Sequence, residues 1–167
     1  MSNMYNGVEK MLYSYYKTKK RIDGLKSRLI RIENRIERLT KDIKECNIDL
    51  EDTIKAIDYS RDIVQGNIVS NIEIELERAV DNILKEIEDN IRDKYKTKSK
   101  ITNLQKKIDN IDTMLEELTE EEAQILKLRY SEKLSDNRIS YIINMSRSTV
   151  QRKRIELINN LSEIMSK

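Results

Sequence analysis

The sequence predicts an all-α chain: a long antiparallel helical hairpin of coiled-coil type, then a compact unit of three short helices. Three observations lead there. The 167 residues include no Pro, Trp or Phe and only three Gly, so helix breakers and bulky strand formers are nearly absent. Charged residues make up 37% and hydrophobic ones 38%, too polar for one large core but suited to long helices that expose much of their surface. Apolar residues recur every three or four positions along most of the chain, the spacing of a helix stripe rather than a strand.

The same composition excludes several functions. There is no His and a single Cys, Cys46, which leaves no zinc-ligand set and no general-base constellation. The protein is therefore expected not to be an enzyme and to need no cofactor or metal. One Cys also precludes an intrachain disulfide and fits a reducing compartment. The first twenty residues lack the apolar core of a signal peptide, and no run is long enough to span a membrane. The expected location is the cytoplasm. The net charge of +2 conceals strong local segregation and says little about partners.

The first long helix settles into a heptad from about Val8. Ile22, Leu25, Leu29, Ile32, Ile36, Leu39, Ile43, Cys46 and Leu50 alternate strictly by three and four, the seam of a coiled coil. This helix is expected to run to about Tyr59. The stretch from Ser60 to Ser70 then breaks the pattern, with Gly66-Asn67 as its turn signal. Ser70 or Asn71 can cap a second long helix carrying Ile72, Leu76, Val80, Ile83, Ile87 and Ile91. A polar zone, Lys94 to Lys100, interrupts the stripe before it resumes as Ile101, Leu104, Ile108, Ile111, Leu115 and Leu118.

Charge supports folding back near residues 60–70. Lys17 to Lys41 holds ten Lys or Arg against Asp23, Glu33 and Glu37. A fold-back brings this stretch beside Asp81, Glu86, Glu88, Asp89 and Asp93, and opposite charges flanking a seam select partner and orientation. The basic run is thus expected to be paired internally rather than to bind DNA. Ile30, Ile48, Ile54, Ile57, Ile74 and Leu84 lie off the seam, and two chains could bury them as a four-helix bundle, which predicts a homodimer. Tyr13, Tyr15 and Tyr16 are expected as core or bundle contacts. Asp109 to Glu122 holds seven acids and no base; this reads as a solvated helix junction, or as a surface for RNA polymerase.

The boundary of the last unit is set at 117/118, giving a hairpin over 1–117 and a three-helix domain over 118–167. Thr119 and Glu122 form a capping box, with Glu120, Glu121 and Glu122 in the first turn, where the helix dipole favours anions. This helix carries Ile125, Leu126 and Leu128 to a polar break at Ser131–Lys133. Ser135 or Asp136 can cap the next helix, with Ile139, Ile142 and Ile143 along it. Asn144 and Met145 make a tight turn, and Ser146 caps a third helix beginning at Arg147.

Those offsets are those of a helix-turn-helix. With Val150 buried on the third helix, Ile139 and Ile143 face inward from the second, Met145 plugs the turn, and Ser140 is the small residue where the helices cross. Asn144 sits where the left-handed region is needed, which Asn tolerates. Inward-facing Val150, Leu157 and Leu161 leave Arg147, Ser148, Gln151 and Arg152 on the outer face. Base contacts cluster on the N-terminal part of a recognition helix, so these four are expected to face the major groove of double-stranded DNA. Ser146 and nearby backbone N–H groups would hold a phosphate. Arg138, Thr149 and Arg154 would set register through the backbone. From Asn137 to Ile155 there are five basic residues and no acid.

The segment from Leu118 to Arg154, in its Leu118-x-x-Glu121, Leu128-Arg129-Tyr130, Ile139-Ser140 and Val150 skeleton, resembles the promoter-binding C-terminal domain of bacterial sigma factors. The whole chain, a long helical part before that domain, resembles phage late-gene transcriptional regulators of the RinA and ArpU type. The resemblance implies a phage or prophage activator of late, packaging or lysis genes, acting with bacterial RNA polymerase. A small sigma factor is one alternative, although the upstream part has no Trp or Phe to serve promoter melting. The other is a coiled-coil scaffold whose three-helix unit docks a protein, which predicts no salt-dependent DNA affinity.

Overall fold

The computed structural model describes residues 2–47 and 65–165. Among them every regular element is helical, as expected for an all-α chain: α1 (Ser2–Lys44), α2 (Gln65–Glu116), α3 (Glu120–Leu126), α4 (Asp136–Ile142) and α5 (Arg147–Met165), with a π-type turn, Lys127–Ser131, closing α3. The long helices precede the short ones, as the stripes predict.

The ends of the long helices differ from expectation. α1 stops at Lys44, not near Tyr59. Cys46, expected on the seam, is exposed and takes a φ of 52°. The Asn47 N–H donates to the Asp42 carbonyl at 2.9 Å and the Cys46 N–H to Ile43 at 3.2 Å. That pair of bonds around a left-handed residue satisfies the last carbonyls and ends the helix. At the other end Gly66 and Asn67, expected as the turn, lie within the first turn of α2. Ile48, Leu50, Ile54 and Ile57 fall in residues 48–64, outside the described residues.

The chain packs as two compact units, one of residues 26–100 and one of residues 1–25 with 101–167. The start of α1 and the end of α2 belong to the same packing unit as α3–α5.

In the 26–100 unit the two helical segments run antiparallel. Arg28 pairs with Asp93 at 3.1 Å and Arg35 with Glu86 at 2.6 Å, so seven residues forward on α1 are seven back on α2. Lys94 meets Glu33 at 2.9 Å. These pairs are largely exposed and worth about 0–1 kcal/mol each, enough to select direction and register but little stability. Burial supplies the rest: Ile32, Leu39 and Thr97 are buried along the seam. The polar zone does not interrupt it. Half-buried Asn90 and Lys94 and buried Thr97 continue the three-four spacing, and Ile91, expected inside, is exposed. Ile30, Ile74 and Leu84 are exposed as the stripe predicts.

The other unit holds three apolar clusters. Tyr15 and Ile22 of α1 pack with Ile108 of α2. Val8 and Leu12 of α1 pack with Leu126, Tyr130, Leu157, Ile158 and Leu161, flanked by Met114, Leu115 and Leu118. Ile125, Leu128, Ile139 and Val150 form the third, with Leu134, Ile143 and Met145 against it. α3 and its π-type turn serve two of these at once. Leu126 and Tyr130 point to the α1 side, whereas Ile125 and Leu128 point to α4 and α5. Tyr15 is buried and Tyr16 half-buried in these clusters, whereas Tyr13 is exposed and meets the Tyr130 ring edge-on at 4.9 Å. The Tyr15 hydroxyl donates to Asp112 and accepts from Lys19 at 2.8 Å. Burial disfavours the Asp112 carboxylate, but bonds from Tyr15 and Lys19 outweigh that and hold its pKa below the usual value. Burial pushes Tyr16 up to about 12.

Candidate nucleic-acid interface

The helix-turn-helix is built by caps that the local sequence dictates. Thr119 accepts from the Glu122 N–H, and the Glu122 carboxylate accepts from the Thr119 N–H at 2.9 Å, closing the capping box of α3. Those bonds hold the Glu122 pKa below its ordinary value. Ser135, rather than Asp136, is the cap of α4, accepting from the Arg138 N–H at 3.4 Å. Ser146 accepts from the Thr149 N–H at 3.1 Å and starts α5.

Between α4 and α5 the turn uses Asn144 at φ 55°. The Met145 N–H reaches back to the Ser140 carbonyl at 3.0 Å. Ser140 is buried at the helix crossing, its hydroxyl donating to the Asn137 carbonyl at 2.7 Å. A larger residue there would push the helices apart, and an unpaired hydroxyl would be costly. Ile139 and Val150 are fully buried, while Ile143 and Met145 are half-buried against them.

With Val150, Leu157, Ile158 and Leu161 inward, α5 turns Arg147, Ser148, Gln151 and Arg152 outward, all four exposed. Arg138 is exposed on α4. Arg138, Arg147 and Arg152 make no ion pair among the described residues. The Ser146 hydroxyl is engaged as a cap and also meets the Ser148 and Thr149 hydroxyls at 2.9 and 2.8 Å. Thr149 is half-buried and turned toward this cap. The Ser146 side chain is thus spent within the cap.

Arg154 does not share the exposed face. Its guanidinium donates to Glu9 at 3.0 Å and to Asp136 at 3.3 Å, and its side chain is only 11% exposed. The Tyr130 hydroxyl donates to the same Glu9 oxygen at 2.9 Å. Burial and that bond raise the Tyr130 pKa well above the ordinary 10.0, keeping the phenol a donor. The side chain expected on the DNA backbone instead ties α5 to α4 and to the start of α1. Lys153 is likewise paired, with Glu121 of α3. The acid-free window thus presents Arg138, Arg147 and Arg152, not all five of its bases.

The spacing of the apolar residues does not single out one exposed aromatic. Tyr141 of α4 is 80% exposed, beside Ile142 at 53% and one turn from Arg138. The available signal was its place as the lone aromatic between Asn137 and Ile155.

Residues 114–156 match the family Sigma-70, region 4, a DNA-binding helix-turn-helix domain of transcription regulators and not an enzyme family. The match begins in the last turn of α2 and ends within α5. Neither a curated relative nor a solved structure matches the chain. No helix among the described residues is long and apolar enough to cross a membrane.

Proposed function

We propose that this protein is a sequence-specific regulator of transcription that reads double-stranded DNA with the outer face of α5. The observation that carries the reading is the division of that helix: Val150, Leu157, Ile158 and Leu161 are buried, and Arg147, Ser148, Gln151 and Arg152 are exposed together at its N-terminal half. Arg and Gln are the side chains that pair with guanine and adenine edges, each worth about 1–3 kcal/mol of discrimination. Arg138 and the first-turn N–H groups of α5 would hold phosphates, with Tyr141 packing on the sugar-phosphate backbone beside them. The match to sigma-70, region 4 supports this use of the domain.

In its finer form the reading is activation of phage or prophage late genes with bacterial RNA polymerase. Residues 118–167 contact DNA, and the helical part over 1–117 provides dimerisation and a polymerase surface. The resemblance to RinA- and ArpU-type regulators supports that form. The test is binding to the chain's own upstream DNA and to late promoters, against scrambled DNA, over a salt series. Specific binding that falls about 5- to 150-fold on Arg147→Ala or Arg152→Ala is the expected result. Equal, weak binding to all DNA, unchanged in both variants, refutes it and favours a scaffold.

The match to sigma-70, region 4 also favours a second reading, a small sigma factor. Specific initiation by the protein with core polymerase alone would establish it in place of the activator.

A further inference from the structure

Two described residues of the unit that holds α3–α5 lie in the left-handed region of the backbone, and one of them is of the wrong type for it. Asn144, at φ 55°, tolerates this conformation; Lys133, at φ 57°, has no such preference. The turn imposes it. The Glu132 N–H donates to the Lys127 carbonyl at 3.2 Å and the Leu134 N–H to the Leu128 carbonyl at 3.1 Å, bonds that close a helix on a left-handed residue. The Arg129 guanidinium donates to the Leu134 carbonyl at 3.0 Å, and Leu134 packs against the cluster of Ile125, Leu128, Ile139 and Val150. Glycine meets that requirement without strain, whereas a Cβ is penalised. The lysine side chain offsets none of this within the fold: it is exposed, with no hydrogen bond or ion pair among the described residues.

Its place in the chain says what it can reach. Ser135, two residues on, accepts from the Arg138 N–H at 3.4 Å, so the Lys133 backbone lies within about 7 Å of the residue that caps α4. Successive phosphates of one duplex strand are about 3.4 Å apart along the axis, so Lys133 and Arg138 fall within the span of a few phosphates. Of the neighbouring acids, Asp136 is engaged by Arg154, and exposed Glu132 does not draw Lys133 into a pair.

We infer that Lys133 is a further contact to the DNA backbone, its charge gripping a phosphate beside the one held by Arg138. The inference rests on the proposed reading of DNA and deepens it. Backbone strain that the fold itself does not use is accounted for by a task outside the fold. An ammonium on a flexible stem meets a phosphate as a point charge, so this contact strengthens binding without favouring any sequence.

The test reads stability and salt-dependent binding together in the full chain. Lys133→Gly should raise the melting temperature by about 2–4 °C, the shift for relieving a Cβ penalty in a chain of this length. It should also weaken binding to the chain's own upstream DNA and to scrambled duplex by one common factor, about 5- to 10-fold at 0.1 M salt, and lower the salt slope by about 0.9. Lys133→Asn, which tolerates the left-handed region, should lose the same affinity; Lys133→Arg should keep both affinity and slope. A merely structural residue would move stability and binding in the same direction. Unchanged affinity and slope in Lys133→Gly, a loss confined to the upstream DNA, or a glycine variant no more stable than wild type overturns the inference. Sequence recognition by α5 fails separately: wild type that binds both duplexes equally removes it, while a lower slope in Lys133→Gly leaves the phosphate contact standing. A wild type that binds neither duplex overturns both.

Discussion

Glu9 is the residue whose removal most directly tests how α5 is held. Its carboxylate accepts from Arg154 of α5 at 3.0 Å and from Tyr130 at 2.9 Å, with its own side chain 24% exposed. Glu9→Ala deletes the one oxygen that accepts both bonds. Hydrogen bonds to a charged group contribute about 1.5–3 kcal/mol each, and breaking a fully buried ion pair costs about 3–5 kcal/mol. Here Asp136 stays beside Arg154 and some solvent reaches the site, so a loss of about 2–3 kcal/mol is expected. Glu9→Gln keeps the size and one acceptor but removes the charge, for about 1–1.5 kcal/mol. The assay is urea unfolding followed by near-ultraviolet tyrosine circular dichroism, which reports on Tyr13 and Tyr130 in this cluster. A Tyr130→Phe cycle with Glu9→Ala should be strongly non-additive, because one bond is removed in both. DNA affinity under conditions where the unit is folded should stay near wild type, since Arg154 does not lie on the exposed face. A loss below about 0.5 kcal/mol, the value of an exposed surface pair, would refute the clamp.

Other consequences follow from the same packing. A fragment of residues 118–167 should fail to fold, since it lacks Val8, Leu12, Met114 and Leu115 and bares Leu126, Tyr130, Leu157, Ile158 and Leu161; its far-ultraviolet circular dichroism should show little cooperative melting. Asn144→Gly should be neutral or slightly stabilising and Asn144→Ala destabilising by about 1 kcal/mol, because φ of 55° burdens a Cβ without a compensating local bond; thermal melts of the two variants check the sign. Glu122 titrates below its ordinary 4.5 in the folded chain. Its contribution is therefore complete above pH 4.5 and is lost as pH falls through the lower folded value, so Glu122→Gln should flatten the acid limb of a stability-pH profile.

The parts of this molecule that the sequence displays are those decided within a turn or two of helix. Thr119 with Glu122, Ser135, Ser146 and Asn144 act on neighbours no more than five residues away, and each occupies the role its chemistry implies. The seam of α1 is legible as far as Ile43 because periodicity alone carries it. It misleads at Cys46, where a left-handed cap outweighs an apolar side chain that fits the heptad. On α2 it misleads in the opposite sense. Hydrophobicity selects Ile91 and rejects Lys94 and Thr97, but the pairing registered by Arg28–Asp93 and Arg35–Glu86 places Asn90, Lys94 and Thr97 toward α1. A helix face is chosen by its whole length, and a few polar residues can be carried inside if their polar ends reach partners, as Lys94 reaches Glu33.

The candidate site shows the same division more sharply. Local spacing finds which side of α5 is outward, and Arg147, Ser148, Gln151 and Arg152 are there. It cannot find that Arg154 is spent on Glu9, because the two are 145 residues apart and nothing in either neighbourhood announces the other. A count of bases therefore overstates the exposed charge, and only long-range pairing corrects it. That correction changes the expected electrostatics: with Lys153 and Arg154 neutralised internally, counterion release on DNA binding should reflect Arg138, Arg147 and Arg152 per copy, with Lys133 beside them, a shallow salt slope for each domain. In the proposed function, so weak a phosphate grip would leave discrimination to base contacts by Gln151 and its arginine neighbours.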